Sequence, residues 1–266
     1  GEYGNGTQGG LYVYLGNGDG TFSDAIVTGN VPHIRVAAGA IADGTPDVIA
    51  LNATVNGGTQ RFRGNADGTF SSVTNFAGST NWDVALADVN GDGRLDALGT
   101  TGSITVRFGT AAEGFGTETA YGATNGFNCV KAADVNGDEA IDVFGCSFDG
   151  IFPMLNDGDG TFSPGPFFGD AQNDILIGDF DGDGNPDLAG TGSSLVTVYF
   201  GSGDGTFSDG PELTVNDAPI AGKAADVDQD GFDDIVVVNT SGTTSILLSN
   251  GDGTFQPQQL FTMLEG

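Results

Sequence analysis

The sequence is poor in positive charge. Its 266 residues include 7 Lys and Arg against 36 Asp and Glu, and the formal net charge is −29. Nucleic acid phosphates and anionic membrane surfaces attract basic proteins, so this balance argues against both as partners. It favours cations instead.

Long hydrophobic runs are also missing. No apolar stretch approaches the roughly 20 residues that cross a bilayer, and no secretory leader stands at the N-terminus. The chain starts "GEYGNGTQGG" without an initiator Met, which fits removal of a signal peptide or trimming of a larger protein. We therefore expect a secreted or cell-surface protein that does not insert into a membrane.

Strong helix formers are scarce, whereas glycine is abundant with 47 residues, and this composition favours short strands and tight turns. A repeat confirms that the chain is periodic. "GNGDGTF" at 16–22 returns with small changes four times, and a worn copy, "AAEGFG", lies at 111–116. The repeats end in phenylalanines 45 to 48 residues apart, namely Phe22, Phe70, Phe115, Phe162, Phe207 and Phe255.

Each repeat unit contains four apolar runs separated by an acidic loop, a Gly/Ser/Thr gap and a DGTF turn. Asp-Gly between apolar runs is a hairpin signal, because Gly tolerates positive φ and Asp bonds the turn backbone. Four antiparallel strands every 45 to 48 residues are typical of a β-propeller blade. A β-solenoid repeats over shorter lengths. We expect each DGTF phenylalanine to pack between neighbouring sheets.

The predicted fold is therefore an all-β propeller forming a single domain over residues 1–266. Five complete units cover 34–78, 79–123, 124–169, 170–215 and 216–262. Residues 1–33 match only the later part of a unit. Either the propeller has six positions with an incomplete first blade, or five blades close and the N-terminal strands are additional.

Four acidic loops place oxygen-bearing side chains at positions 1, 3, 5 and 9, with a backbone carbonyl at position 7. Unpaired carboxylates at this density repel one another, and the pattern suits a hard cation with six to eight oxygen ligands. Ca²⁺ is favoured over Mg²⁺, which demands octahedral geometry, and the lack of Cys or His ligands disfavours soft metals. We predict about four Ca²⁺ ions.

The predicted ligands, in chain order, are Asp88, Asn90, Asp92, Arg94 and Asp96; Asp134, Asn136, Asp138, Ala140 and Asp142; Asp179, Asp181, Asp183, Asn185 and Asp187; and Asp226, Asp228, Asp230, Phe232 and Asp234. Arg94, Ala140, Asn185 and Phe232 would contribute backbone carbonyls. Position 12 holds no Glu and the flanks read as strands, so these are not EF-hands. The matching stretch "IADGTPD" keeps only Asp43 and Asp47, and we expect no ion there.

Cys129 and Cys146 flank the loop that begins at Asp134. If this loop closes an antiparallel hairpin, the two cysteines face each other, and a cross-strand disulfide becomes geometrically plausible. The alternative is a pair of buried thiols.

The combination of "DVNGDGRLD", an apolar strand and "GNGDGTF" resembles the FG-GAP or VCBS-type repeat over nearly the whole chain. This resemblance implies a Ca²⁺-loaded propeller, as in integrin α-subunit heads, a fungal lectin family and parts of secreted polysaccharide-degrading enzymes. It also implies that the side chains at positions 1, 3, 5 and 9 carry the ion. Glu139, where the loop usually has Gly, departs from the pattern.

Catalysis is disfavoured, because the chain has one histidine, His33, and no nucleophile motif. Glu2, Glu113, Glu118 and Glu212 show no carboxylate pairing of the kind glycosidases use. We expect a non-catalytic adhesion or ligand-binding module for a glycan or a protein, with Trp82, Tyr121 and Tyr199 as weak candidates for sugar contacts. A part of a polysaccharide-degrading enzyme is a lesser alternative.

A structural role is the other main hypothesis. The half-blade at 1–33 would leave a sheet edge unpaired, and a neighbouring subunit could complete it. Repetition of that contact would give a homo-oligomer or an extracellular filament or surface layer.

Overall fold

Strands form the regular structure of the computed structural model, which describes residues 10–28, 33–41, 44–52, 58–76, 82–111, 114–122, 126–170 and 172–262. Across these ranges the strands assemble into five four-stranded antiparallel sheets and two strand pairs. This confirms the all-β propeller with five four-stranded blades and additional N-terminal strands. None of the described segments is a helix of the length and hydropathy needed to cross a membrane.

The N-terminal pair and the first two blades have the following strands. The pair consists of β1 (Leu11–Val13) and β2 (Ile26–Thr28). Blade 1 consists of β3 (His33–Ala40), β4 (Pro46–Asn52), β5 (Thr59–Gly64) and β6 (Phe70–Phe76). Blade 2 consists of β7 (Val84–Ala87), β8 (Asp96–Thr100), β9 (Ile104–Arg107) and β12 (Thr119–Tyr121), with a small hairpin of β10 (Gly109–Thr110) and β11 (Gly114–Phe115) inserted before its last strand.

The last three blades are regular meanders. Blade 3 consists of β13 (Phe127–Ala133), β14 (Asp142–Ser147), β15 (Gly150–Asn156) and β16 (Phe162–Pro164). Blade 4 consists of β17 (Asp174–Gly178), β18 (Asp187–Thr191), β19 (Leu195–Gly201) and β20 (Phe207–Thr214). Blade 5 consists of β21 (Pro219–Ala225), β22 (Asp234–Asn239), β23 (Thr243–Leu247) and β24 (Gln259–Thr262).

Each acidic loop joins the first and second strands of a blade. The aspartate at position 9 is the first residue of the second strand and faces the residue that precedes position 1. These pairs are Ala87 with Asp96, Ala133 with Asp142, Gly178 with Asp187, and Ala225 with Asp234. The acidic loops are therefore hairpin connections, as the sequence predicts.

The DGTF turns have a common register. Each phenylalanine pairs across the turn with the residue six positions earlier, giving Gly16 with Phe22, Gly64 with Phe70, Gly109 with Phe115, Asn156 with Phe162, Gly201 with Phe207, and Ser249 with Phe255. The worn copy at 111–116 keeps this pairing, so it forms the hairpin β10–β11 in place of a longer strand.

A disulfide joins Cys129 to Cys146, which lie opposite each other in β13 and β14 with their Cα atoms 5.1 Å apart. This confirms the predicted cross-strand bridge and excludes the alternative of free thiols. Both sulfurs lie in the core between blades 3 and 4.

The chain divides into two compact units. One comprises Gly1–Asp88 and Asp92–Ala120, and the other comprises Val89–Gly91 and Tyr121–Gly266. In the first unit an apolar cluster packs blade 1 against blade 2. In the second unit such clusters fill the spaces between blades 3 and 4 and between blades 4 and 5. The single domain over 1–266 stays a prediction.

Candidate metal centres

The first carboxylate of each acidic loop is bonded to the loop's own backbone. Both oxygens of Asp179 accept N–H bonds, from Gly182 at 2.8 Å and Gly184 at 3.0 Å. Asp134 and Asp226 accept bonds from the same two loop positions, 4 and 6. These bonds wrap the loop around its first side chain.

That wrapping requires left-handed backbone at positions 4 and 6. Glycine, which adopts positive φ without a Cβ clash, occupies most of these places. The exceptions are Glu139 at position 6, with φ 70°, and Gln229 at position 4, with φ 67°. The departure of Glu139 from the repeat pattern therefore leaves the loop conformation unchanged.

Position 5 caps the second half of the loop. Its carboxylate accepts the N–H of position 7 in all four loops, at 2.9 Å for Arg94, 2.8 Å for Ala140, 2.8 Å for Asn185 and 3.0 Å for Phe232. In the first loop the Arg94 guanidinium also donates to the second oxygen of Asp92 at 2.6 Å. A fixed positive charge thus lies on one of the predicted ligands.

Position 9 ties three segments of a blade together. One oxygen of Asp187 accepts the N–H of Phe180 at 2.8 Å, and the other accepts the N–H of Gly201, where the DGTF turn begins, at 2.8 Å. Asp142 and Asp234 make the equivalent two bonds. All three are completely buried.

The carboxylates at positions 1, 3 and 9 converge in two loops. Oxygens of Asp179, Asp181 and Asp187 lie within 4.8 Å of one another, as do those of Asp226, Asp228 and Asp234. In the other two loops position 3 is Asn90 or Asn136, which offers an amide oxygen instead of a third carboxylate. Three carboxylates of the predicted ligand set are therefore brought together in each of blades 4 and 5.

The electrostatics of these loops favour a cation. The pKa of Asp187 is raised to about 6, mainly by burial, and the neighbouring charges of Asp181 and Asp179 contribute to this rise. Burial is also the main cause of the raised pKa of Asp142, with smaller contributions from Asp138 and Asp134. A bound cation would relieve this repulsion, and all-oxygen donors suit a hard ion, so the residues present fit Ca²⁺.

Blade 1 has a different arrangement at the same place. Buried Asp47 lies at position 9, and its Oδ1 accepts the N–H of Gly64 at 2.7 Å. Its Oδ2 accepts two bonds from the guanidinium of Arg61, which is also buried. Asp43 lies outside the described residues. In this blade an arginine side chain compensates the position-9 carboxylate, and the absence of an ion from this loop stays a prediction.

Sequence reasoning missed Arg61. Counted back three residues from the start of the DGTF turn, the other blades have Val106, Pro153, Val198 and Ile246 at its place. A charged residue among four apolar equivalents is a signal that an alignment of the third strands would have revealed.

The DGTF turns are closed by their own side chains rather than by an ion. The N–H and the hydroxyl of Thr254 both donate to Asp252, at 3.0 and 2.5 Å. The same pair of bonds recurs at Asp19, Asp67, Asp159 and Asp204. The conserved spacing of Asp and Thr within this chain is therefore explained by turn geometry.

The proposed sugar-contacting aromatics differ in their surroundings. Trp82 is 63% exposed, whereas Tyr199 is 3% exposed and packs in the core between blades 3 and 4. Tyr121 is half-buried and lies edge-on to Phe162, with ring centroids 5.2 Å apart. Tyr199 is thus a core residue, and Trp82 is the candidate that reaches solvent.

Of the four glutamates weighed as catalytic acids, the structure describes Glu118 and Glu212. Glu118 accepts a bond from Arg107 at 3.0 Å, and Glu212 is exposed on β20 opposite Thr197. Glu2, Glu113 and the side chain of His33 lie outside the described part of the structure.

Comparison with known proteins supports the repeat. The sequence model of the FG-GAP-like repeat matches residues 41–99, 134–189, 179–237 and 226–265. A comparison with curated proteins found no significant match.

Two solved structures share the fold. One is a lectin from Agrocybe aegerita, described as recognising non-reducing terminal N-acetylglucosamine, with a TM-score of 0.66 and 23% identity over 96% of this chain and 75% of the lectin. The other is a Lactobacillus plantarum protein with a TM-score of 0.69 and 17% identity over 98% of this chain and 80% of its own. At these identities they show the propeller fold alone.

Proposed function

The chain belongs to the FG-GAP-like repeat family, and from that premise we propose that it is a non-catalytic, extracellular binding module whose blades are stabilised by Ca²⁺. The observation that carries the proposal is the double role of position 9. Asp187 and Asp234 each bond two backbone segments and also converge with the two carboxylates at positions 1 and 3. An ion at these points would hold the hairpin and the DGTF turn of one blade together.

The same bonds argue for a scaffold role rather than turnover. A catalytic carboxylate must reach its substrate and change its protonation state there. Asp142, Asp187 and Asp234 are completely buried and engaged through both oxygens. These contacts support a role in which the three carboxylates hold the backbone and a cation and do not act on a substrate.

A carbohydrate is the ligand class we propose. A lectin among the structural neighbours motivates this class. Trp82 offers an exposed indole and directly precedes Asp83 in the sequence, whose Oδ1 lies 3.6 Å from Nε of Arg35. An aromatic face with polar groups beside it suits a sugar ring, which has apolar C–H faces and hydroxyl edges.

The proposed location is extracellular. The Cys129–Cys146 disulfide persists in oxidising compartments, and millimolar Ca²⁺ is available outside cells to modules of modest affinity. Four divalent cations would bring the formal charge from −29 to −21, so the protein would remain strongly acidic.

Calorimetry with Ca²⁺ tests the metal sites. We expect saturable binding and a higher melting temperature in Ca²⁺ than in EGTA, because a ligand that binds only the folded state stabilises it. Asp181→Asn and Asp228→Asn should each weaken one site, while Asp209→Asn, an exposed aspartate on β20, should not. Equal melting temperatures with and without Ca²⁺ would refute the metal role.

A glycan array tests the ligand class. The Ca²⁺-loaded protein should bind a defined set of glycans, and Trp82→Ala should lose that binding while keeping the melting temperature. Phe148→Ala, which removes an aromatic side chain that is 72% exposed in the turn between β14 and β15, is the matched control. Binding that survives Trp82→Ala would exclude this platform, and an array without signal would count against a glycan ligand.

Self-assembly through the N-terminal strand pair is a second candidate role. It is favoured by one observation, the exposure of Phe22, and is compatible with glycan binding at Trp82.

A further inference from the structure

The side chain of a DGTF phenylalanine acts as a knob that packs on the blade before its own. Phe255 of blade 5 lies against Phe180 of blade 4, with ring centroids 6.1 Å apart. Phe207 of blade 4 packs on Phe144 of blade 3 at 5.8 Å. Phe162 packs on Tyr121 at the end of blade 2.

The same kind of contact occurs within the first compact unit, which comprises Gly1–Asp88 and Asp92–Ala120. Phe115 packs in the cluster that contains Ile41 and Ile49 of blade 1, and Phe70 packs in the cluster that contains Leu11 of the N-terminal pair. Five of the six knobs are therefore covered, as the sequence predicts.

Phe22 is the exception and corrects that expectation, because it is 68% exposed. Strands β1 and β2 flank its DGTF turn, so they correspond to the third and fourth strands of a blade. Tyr12 of β1 and Tyr14, which directly follows this strand, are 47% and 56% exposed. Tyr199, the equivalent of Tyr14 in blade 4, is 3% exposed beneath Phe168 of blade 3, at 5.4 Å.

Blade 5 has the matching uncovered surface. Its residues follow those of blade 4 by 47 positions through the second strand and by 48 from the third strand onward. Phe180 and Val198, which blade 5 covers, are completely buried, whereas their equivalents Val227 and Ile246 are 44% exposed and half-buried. Phe261, the equivalent of half-buried Leu213, is 51% exposed. We call this surface, formed by Val227, Val236, Ile246 and Phe261, the outer face of blade 5.

We propose that the outer face of blade 5 receives the N-terminal strand pair of a second copy of this chain, with Phe22 as the inserted knob. The occupant follows from what covers the equivalent face of blade 4: a DGTF phenylalanine and the sheet that carries it. Phe22, Tyr12 and Tyr14 of another copy present that same surface.

The proposed contact joins different surfaces of the two copies. A contact of this heterologous kind repeats head to tail and produces rings or filaments. The surfaces are apolar sheet faces, so they pack face to face like successive blades. This inference develops the second candidate role and does not depend on calcium or glycan binding.

Sedimentation velocity over a wide range of protein concentration tests the proposal. The unmodified protein should form concentration-dependent oligomers in Ca²⁺. Phe22→Asp removes the knob and Phe261→Asp places a charge on the receiving face, so each variant alone should be monomeric. Phe148→Asp makes the same change at an exposed site elsewhere and should assemble like the unmodified protein.

Mixing the two interface variants separates a specific contact from general aggregation. Phe22→Asp keeps an intact outer face and Phe261→Asp keeps an intact knob, so an equimolar mixture has one productive contact and should stop at the heterodimer. Circular dichroism and melting curves establish that each variant is folded. A protein that stays monomeric at every concentration, or oligomers that persist in both variants, would overturn the proposal.

Discussion

The guanidinium of Arg61 donates two hydrogen bonds, from Nε and Nη2, to one carboxylate oxygen of Asp47, and both side chains are buried. In blades 3 to 5 the same aspartate position bonds the N–H of loop position 2 with this oxygen. In blade 1 the buried negative charge of Asp47 is thus compensated by a side chain of the same blade. Its stability should not depend on calcium.

Arg61→Met should therefore destabilise the first unit strongly. Removing one partner of a buried ion pair leaves the other charge uncompensated, at a cost of about 3–5 kcal/mol. Urea unfolding in EGTA and in Ca²⁺ should show the same loss. Arg107→Met is the control, because its pair with Glu118 is partly exposed and is worth about 1 kcal/mol or less. A loss from Arg61→Met as small as the control's would show that Arg61 does not compensate the buried charge of Asp47.

Arg94→Gln should strengthen calcium binding in the loop 88–96. The guanidinium lies 2.6 Å from the Asp92 carboxylate and competes with an ion for it. Removing this charge should improve the binding free energy by roughly 1 kcal/mol, about fivefold in affinity. A calcium titration followed through the amide NMR signal of Gly93 measures this loop. Arg107→Gln, outside the loop, should leave the midpoint unchanged, and an unchanged midpoint in Arg94→Gln would refute the competition.

The repeat predicted the blades because each turn carries its own chemistry. Asp252 and Thr254 close their turn locally, and Asp134 organises its loop through bonds to residues three and five positions away. Such contacts join residues only a few positions apart, so the sequence pattern predicts them. The facing of Cys129 and Cys146 followed from the same hairpin.

Burial was harder to predict because it depends on neighbours in space. Phe22 and Phe255 share a motif, yet Phe22 is exposed and Phe255 packs on Phe180. Arg61 escaped notice because Asp47 lies 14 residues away in the sequence. For Phe22 the missing information was which unit covers which face, and for Arg61 it was the register of the strands that bring Arg61 near Asp47.

Gln229→Gly should stabilise the last acidic loop. Gln229 has φ 67°, a left-handed conformation that costs a residue with a Cβ about 1 kcal/mol. Glycine removes that strain but gains freedom in the unfolded chain, so a net stabilisation of about 0.5–1 kcal/mol is expected from urea unfolding in EGTA. Gly137→Ala is the reverse change at φ 74°, with open space around the added methyl, and should destabilise. A destabilised Gln229→Gly would show that the side chain, not the backbone, matters there.

Replacing both Cys129 and Cys146 by serine should lower the free energy of unfolding by about 3 kcal/mol, because the bridge closes a loop with a separation of 17 residues in the unfolded chain. Chemical denaturation of the double variant measures the loss, and the reduced unmodified protein should approach the same stability. A loss that appears in the variant but not on reduction would place the cause in the packing of the serines.

The aspartates of the DGTF turns should contribute folding stability that is lost at acid pH. The Thr254 hydroxyl and N–H hold the pKa of Asp252 below its usual value, and the same bonds lower the pKa of Asp204. A carboxylate whose folded pKa is depressed contributes stability above its unfolded pKa, and that contribution is lost as the pH falls through the folded value. Thr254→Val removes the hydroxyl donor and should raise the pKa of Asp252 toward that of a free aspartate, whereas Thr254→Ser should keep it low. NMR titration of the Asp252 carboxyl carbon measures both variants, with Asp204 as an internal reference that should not move. If Asp252 titrated identically in all three proteins, the hydroxyl bond would not be the cause of its acidity.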